Sequence, residues 1–140
     1  MSGKWILIIE DDRYQAEEIE RCLKPIAEHV RLISTELEFH KLAESGELSK
    51  YAVAVVDLML RWTDPAPEME MPPPKIREEG SYLAGLRCCR ELKKLPKNKI
   101  PCVIFSALDA EKVPGVKEFP FVNKSHGCEA LIEQVRPLLG

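Results

Sequence analysis

The feature that most constrains the fold is a short apolar run, residues 52–56, that ends directly on the carboxylate of Asp57. A continuous run of small and β-branched residues is typical of a strand covered by helices on both faces, as in parallel sheets. Ligands of such sheets bind just beyond the carboxyl ends of the strands. Asp57 therefore lies where we expect chemistry, although an Asp after a strand can also simply begin a turn.

Further apolar segments alternate with helical patterns along the 140 residues. This alternation predicts a single α/β domain, a doubly wound parallel sheet of five strands in the order 2-1-3-4-5 with helices on both faces. The predicted strands are 5–9, 30–33, 52–56, 100–105 and 119–122, and the predicted helices are 13–28, 37–48, 82–95 and 128–138.

Residues 61–79 interrupt the alternation with a segment rich in proline and acidic residues. Proline disfavours regular helix and central strand, so the segment is predicted to be an extended or polyproline-like insertion loop. It is either a solvated linker or a docking segment that presents Trp62, Met69 and Met71 to a partner. We favour docking, because an exposed tryptophan beside a reactive aspartate is unusual.

The composition is that of an ordinary soluble domain, with 45% apolar residues, 31% charged residues and a net charge of −3. The charge argues against direct nucleic-acid binding, and no apolar run approaches the roughly 20 residues that span a membrane. The N-terminus passes straight into a strand and leaves no room for a signal peptide. The five cysteines include no Cys-x-x-Cys pair, and we expect reduced thiols in a cytoplasmic protein.

The predicted strands end in polar residues that complement one another. Three acids at the end of a buried strand repel one another unless a cation offsets them, although acids also suit a helix N-terminus. Carboxylates that meet at neighbouring strand ends suit a hard divalent cation such as Mg²⁺, and a nearby hydroxyl and ammonium would equip an aspartate for phosphoryl transfer. The residues are Glu10, Asp11 and Asp12 after strand one, Asp57 after strand three, Ser106 at the end of strand four, and Lys124 after strand five.

This arrangement resembles the receiver domains of bacterial two-component response regulators, and the resemblance covers nearly the whole chain as one domain, 1–140. The motifs that carry it are residues 8–12, 57–60, 106–107 and 121–124. It implies the flavodoxin-like receiver fold and a phosphoacceptor that receives its phosphoryl group from a histidine kinase or phosphotransfer protein. Such a domain catalyses only its own phosphorylation and dephosphorylation, and signals by contact with a downstream protein or as a homodimer.

The resemblance also assigns roles to single residues. Asp57 matches the phosphoacceptor, and Lys124 matches the lysine that pairs with the phosphoryl group. Ser106 matches the hydroxyl that moves toward the phosphate, and Phe121 matches the aromatic switch residue that follows it. The implied Mg²⁺ ligands all offer oxygen atoms: Glu10, Asp11 as the direct ligand, Asp57, the backbone carbonyl of Met59, and Asp12 as a further candidate.

Three features depart from the family pattern. Arg61 and the insertion stand where proline usually follows the phosphoacceptor. Ser125 replaces the proline after the lysine and removes the reason for the usual cis peptide bond, which costs roughly 3 kcal/mol without proline. Only 17 residues separate Ser106 from Lys124, so we expect the helix between the last two strands to be shortened or lost. In the family, that helix belongs to the output and dimerisation face.

One other function remains open. A pseudo-receiver would keep the fold as an interaction module that phosphate does not switch; Ser125 and the shortened helix favour it, whereas the retained Asp57 and Lys124 disfavour it. A hydrolase like the acid phosphatases needs a second aspartate two residues after its nucleophile, where this chain has Met59. Nucleotide binding through a glycine-rich loop fails because the chain has no such loop.

Overall fold

A computed structural model describes residues 4–95 and 99–140. Its strands are β1 (Trp5–Ile9), β2 (His29–Ile33), β3 (Tyr51–Val56), β4 (Cys102–Ser106) and β5 (Phe121–Asn123). All neighbouring strands pair in parallel, in the order β2-β1-β3-β4-β5, which confirms the predicted topology. The helices of the described residues are α1 (Arg13–Leu23), α2 (Glu36–Ser45), α3 (Pro74–Glu79), α4 (Ala84–Lys93) and α5 (Gly127–Val135).

The apolar run of residues 52–56 lies in the central strand of the sheet. β3 lies between β1 and β4, and residues 53–56 are buried. Val56 pairs in register with Ile9 of β1 and with Ile104 of β4. The backbone N–H of Asp57 still donates to the carbonyl of Ile9 at 3.0 Å. Asp57 therefore leaves the sheet at its carboxyl edge, directly beside the end of β1.

Helices cover both faces of the sheet, as a strand that is apolar on both sides requires. Val53 and Val55 point into a core shared with α1 and α5. Ala54 and Val56 point into a second core, shared with α2 and α4. The alternation of side chains along β3 thus divides a continuous apolar run between two cores.

The insertion contains a short helix that the sequence argument did not predict. The prediction of an irregular segment over residues 61–79 is wrong for Pro74–Glu79, which forms α3. Pro74 occupies the first turn, where a helical N–H has no partner within the helix and its loss costs little. Three consecutive prolines exclude a helix before Pro74 but allow one to begin there. Residues 61–73 are without regular helix or strand, as predicted.

The segment between β4 and β5 has lost its helix, as predicted. Two short 3-10 turns, Ala110–Lys112 and Val116–Glu118, replace it. Val113 and Val116 are buried against the core shared with α2 and α4, so the segment remains packed on the sheet. Gly115 links the two turns with a φ of +86°, a backbone conformation that favours glycine.

One cysteine pair corrects the sequence analysis. Cys22 in α1 and Cys128 in α5 form a disulfide, with 5.8 Å between their Cα atoms, so the expectation of five reduced thiols is wrong. The free cysteines of the described residues, Cys88, Cys89 and Cys102, are buried as small apolar side chains. The pair is separated by 106 residues, and no short motif marks it.

The backbone from 4 to 95 and from 99 to 140 contains no cis peptide bond, so Lys124 and Ser125 are joined in trans. None of the helices in these two ranges combines the length and the apolar character that crossing a membrane demands.

Candidate functional site

Three carboxylates meet where β1 and β3 end. Glu10, Asp11 and Asp57 each contribute an oxygen, and these oxygens lie within 4.8 Å of one another. Glu10 is buried, whereas Asp11 and Asp57 are partly open to solvent. Several oxygen ligands at this density are what a hard divalent cation prefers, so the donor set fits Mg²⁺.

The remaining predicted oxygen ligands lie differently. Asp12 is outside the carboxylate group: it is the N-cap of α1, and its Oδ1 accepts a hydrogen bond of 3.0 Å from the Gln15 backbone. The alternative interpretation of the acidic run, a helix N-terminus, thus describes Asp12, while Glu10 and Asp11 join Asp57. Met59 lies after β3 with an exposed side chain, and metal binding by its carbonyl stays a prediction.

The side chain of Lys124 extends from the end of β5 to the carboxylates. It follows β5, an edge strand, and its side chain reaches back past β4 to the end of β3. The Nζ atom lies 2.6 Å from Glu10 Oε1 and 3.3 Å from Asp57 Oδ2, and it also donates to the side chain of Gln15. The lysine side chain is 17% exposed. One mostly buried ammonium group therefore contacts two acids of the group at once.

The electrostatic environment is that of a crowded, partly desolvated site. Burial, followed by the negative charge of Asp57, raises the pKa of Glu10 to about 7, against the hydrogen bond from Lys124. Burial alone would lower the pKa of Lys124, but the hydrogen bond to Glu10 and the charge of Asp57 outweigh it and raise that pKa. Lys124 therefore stays protonated and supplies a fixed positive charge beside Asp57.

A glycine that the sequence analysis missed allows α4 to contact the Asp57 backbone. The Gly85 N–H donates to the carbonyl of Leu58 at 2.9 Å. A Cβ atom at Gly85 would lie 1.9 Å from the carbonyl oxygen of Asp57, which is a severe overlap. Only a residue without a side chain permits this approach. An isolated glycine within a helical pattern is the signal that could have indicated it.

Ser106 and Phe121, which the resemblance assigns to the switch, lie on β4 and β5. Ser106 ends β4 and is buried, and its Oγ accepts a hydrogen bond of 3.2 Å from the backbone of Leu108. Phe121 begins β5, where it pairs in register with Ile104 and packs, partly buried, against the core shared with α2 and α4. Their positions suit a role next to the site, but movement toward a phosphoryl group stays a prediction.

The insertion is anchored at its start, and Trp62 is part of the anchor. The Trp62 indole Nε1 donates to the carbonyl of Glu70 at 2.9 Å, and its ring centroid lies 5.6 Å from that of His40. Trp62 is half-buried, so the expectation of an exposed tryptophan is wrong. Met69 and Met71, exposed by 47% and 61%, are large apolar side chains that the insertion presents to solvent.

A groove of about 460 Å³ runs between α1 and α5 and reaches the site. Its walls include Tyr14, Ile19 and Phe105, and Lys124 lies at the end nearest the carboxylates. The Cys22–Cys128 disulfide also lines the groove and joins the two helices that form it. The groove therefore borders the site at Lys124.

Comparison with solved structures supplies the fold family. The receiver domain of DrrB, activated with BeF3, matches with a TM-score of 0.67 and 21% identity, covering 99% of this chain and 98% of that chain. The receiver domain of the Francisella response regulator 1452 matches with a TM-score of 0.67 and 22% identity, covering 98% and 97%. The chain has the receiver-domain fold.

A third receiver domain agrees with these two. The BeF3-activated N-terminal receiver domain of Klebsiella pneumoniae RstA matches with a TM-score of 0.66 and 18% identity, over 97% of this chain and 98% of that chain. The resemblance to receiver domains that the strand-end motifs predict is thereby confirmed. No protein-family model matches the sequence, and no curated protein matches it significantly.

Proposed function

We propose that this receiver fold is a phosphoacceptor of two-component signalling, in which Asp57 takes a phosphoryl group from the phosphohistidine of a histidine kinase or phosphotransfer protein. The observation that carries the proposal is the position of Lys124. Its Nζ lies 3.3 Å from Asp57 Oδ2 and 2.6 Å from Glu10 Oε1, next to the group formed by Glu10, Asp11 and Asp57. An ammonium group held beside a carboxylate and a cation-binding acidic group is what phosphoryl transfer to an aspartate needs.

Phosphoryl transfer to Asp57 forms one bond to phosphorus and breaks another. An oxygen of Asp57 attacks phosphorus, the phosphorus–nitrogen bond of the phosphohistidine breaks, and the imidazole nitrogen keeps the electron pair. Lys124 offsets the negative charge of the transferred oxygens, and the backbone N–H of Leu58, which donates to Asp57 Oδ1 at 2.8 Å, holds the carboxylate in place. Hydrolysis restores the Asp57 carboxylate: water attacks phosphorus, the bond to the Asp57 oxygen breaks, and inorganic phosphate leaves.

The acidic group suits Mg²⁺ as the second source of positive charge. Asp11 and Asp57 would hold the ion, with Glu10 beside them and the carbonyl of Met59 as a further ligand. When bound, the ion supplies charge that offsets the repulsion between a carboxylate and an incoming phosphoryl group. Lys124 has a separate task, since it also pairs with Glu10, whose buried charge otherwise has no cation among its described contacts.

In this proposal, a downstream protein recognises the phosphorylated state through changes at β4 and β5. Ser106 and Phe121 lie at the end of β4 and the start of β5, and we propose that they report the state of Asp57 to the surface. The 3-10 turns between these strands present a face that differs from the helix usual in receiver domains. This difference is also what favours the second candidate, a pseudo-receiver that binds partners through the altered face without phosphorylation.

The two functions are separated by incubation with acetyl phosphate and Mg²⁺, followed by intact mass. A phosphoacceptor gains the mass of one phosphoryl group, the gain requires Mg²⁺, and Asp57→Asn abolishes it. Asp109→Asn is the matched control, because Asp109 is an exposed acid outside the carboxylate group, and asparagine can keep the hydrogen bond that Asp109 Oδ1 accepts from the Glu111 backbone. Absence of any gain in the wild-type protein would contradict the phosphoacceptor and favour the pseudo-receiver.

A further inference from the structure

The insertion begins with a cation that contacts the acidic group. Arg61 is its first residue, and a guanidinium nitrogen donates to the backbone carbonyl of Asp11 at 2.9 Å. The Arg61 Nε lies 3.8 Å from Asp11 Oδ2, and the backbone N–H of Arg61 donates to the same oxygen at 3.2 Å. Asp11 is thus held by both the main chain and the side chain of Arg61.

The position of Arg61 is fixed by α2. The first N–H groups of a helix have no partner within the helix and must be satisfied from outside. In α2, the N–H groups of Glu36 and Leu37 donate to the carbonyls of Arg61 and Trp62, both at 2.9 Å. Trp62 is held in addition by the ring of His40. The backbone that carries the guanidinium is therefore part of the packed structure.

Arg61 and Lys124 pair with different members of the acidic group. Lys124 pairs with Glu10 and Asp57, and Arg61 pairs with Asp11. A divalent cation that binds Asp11 brings two further positive charges next to the guanidinium, and like charges at this range repel. The displaced guanidinium has a second partner close by, because an Arg61 nitrogen lies 3.7 Å from Asp64 Oδ1.

We propose that Arg61 is an internal counter-ion of Asp11 that competes with divalent cations, so that metal binding shifts the guanidinium toward Asp64 and alters the start of the insertion. The inference rests on the proposed function in one respect, the binding of Mg²⁺ by the acidic group. The insertion then has a role at the site, because cation binding by the acidic group is linked to the conformation near Trp62. Arg61 is a positioning residue here, since it acts on the ligand Asp11.

The test is a titration of the full chain with Mg²⁺ alone, followed by calorimetry and by tryptophan emission. Arg61→Gln removes the charge and keeps the backbone contact, and we expect Mg²⁺ to bind about three- to tenfold tighter at low salt. The gain should shrink as ionic strength rises, because salt screens the repulsion. Arg77→Gln is the matched control, because it also removes a guanidinium from the insertion. The Arg77 guanidinium donates to the carbonyl of Pro72, so its loss should leave the Mg²⁺ affinity unchanged.

Two more variants sharpen the assignment. Arg61→Lys keeps the positive charge and should stay closer to the wild-type affinity than Arg61→Gln does. Trp5→Phe leaves Trp62 as the emitter, since these are the two tryptophans of the chain. The Mg²⁺-dependent change in emission should survive Trp5→Phe and decrease in Arg61→Gln, because the link from Asp11 to Trp62 runs through Arg61.

The outcomes distinguish this inference from the proposed function. Equal or weaker Mg²⁺ binding by Arg61→Gln, in a variant whose thermal unfolding remains cooperative, would overturn the role of Arg61 while leaving phosphorylation of Asp57 untouched. A gain of the same size in Arg77→Gln would also overturn it, since the effect would then come from net charge. If calorimetry detects no Mg²⁺ binding in either the wild type or Arg61→Gln, the metal site and this inference are both wrong.

Discussion

At the scale of single residues, the site depends on side chains that are held by contacts outside it. Lys124 is useful beside Asp57 because Glu10 and Gln15 fix its ammonium group. Asp57 is fixed in turn by the Leu58 backbone and by the close approach of Gly85. The strand ends place the reactive groups, and these contacts set their geometry.

Gly85→Ala tests the close approach. A methyl group 1.9 Å from the carbonyl oxygen of Asp57 must push α4 away from the loop after β3. We expect a loss of about 3 kcal/mol in the free energy of unfolding, measured by urea denaturation, and weaker phosphorylation of Asp57. Glu91→Ala, at an exposed position of the same helix, should change stability by less than about 0.5 kcal/mol. A Gly85→Ala protein as stable as the wild type would contradict the account.

At the scale of elements, a buried ion pair joins α2 to α4 and to the end of the insertion. Arg87 in α4 contacts both carboxylate oxygens of Glu36, at 2.7 and 2.8 Å, and reaches Glu79 of α3 at 3.2 Å. The Glu36 side chain is only 1% exposed. Burial raises its pKa, but the hydrogen bonds from Arg87, together with the nearby His40 ring, whose Nε2 lies 3.6 Å from Glu36 Oε2, outweigh burial and lower the pKa overall.

The sign of this shift predicts a pH dependence of stability. Because the folded pKa of Glu36 is below its unfolded value of 4.5, the ion pair contributes fully above that pH and is lost as pH falls through the folded pKa. Glu36→Gln should cost about 3 kcal/mol at pH 7, because it leaves the Arg87 charge without its main partner. Its deficit relative to the wild type should narrow in acid. A deficit in unfolding free energy that is constant from pH 7 to acid would contradict this assignment.

The disulfide joins α1 to α5 on the other face of the sheet. Reduction, or Cys22→Ser, removes a link between residues that are 106 positions apart. We expect a loss of about 2–4 kcal/mol in stability, as for other native disulfides that close long loops. Thiol labelling of the unfolded, unreduced protein should find three free cysteines. Five labelled thiols would contradict the pair, and Cys88→Ser, a buried free cysteine, serves as the control for lost packing.

At the scale of the whole molecule, local patterns predicted the sheet and the content of the site. Ala54 and Val56 belong to a run whose composition alone indicates a buried parallel strand, and parallel strands bring their carboxyl ends to one edge. The grouping of Glu10, Asp11 and Asp57 follows from that rule. Lys124 could be placed at the same edge for the same reason.

The contacts that the sequence did not predict are the ones between distant residues. Cys22 meets Cys128, and Arg61 meets Asp11, through packing that no short pattern records. The half-buried position of Trp62 likewise depends on His40, which is distant in sequence. The helix at Pro74 was missed for a local reason, since a proline that blocks a helix interior is accepted in its first turn.

The most direct test of Asp57 as the phosphoacceptor is to identify the residue that carries the phosphoryl group. The protein is phosphorylated with acetyl phosphate and Mg²⁺, treated with borohydride to reduce the acyl phosphate, and digested for peptide mass analysis. We expect Asp57 alone to be converted to the reduced residue, and Lys124→Ala to lower the yield greatly. Reduction at another acid, or no reduction at Asp57 in a protein that binds Mg²⁺, would contradict it.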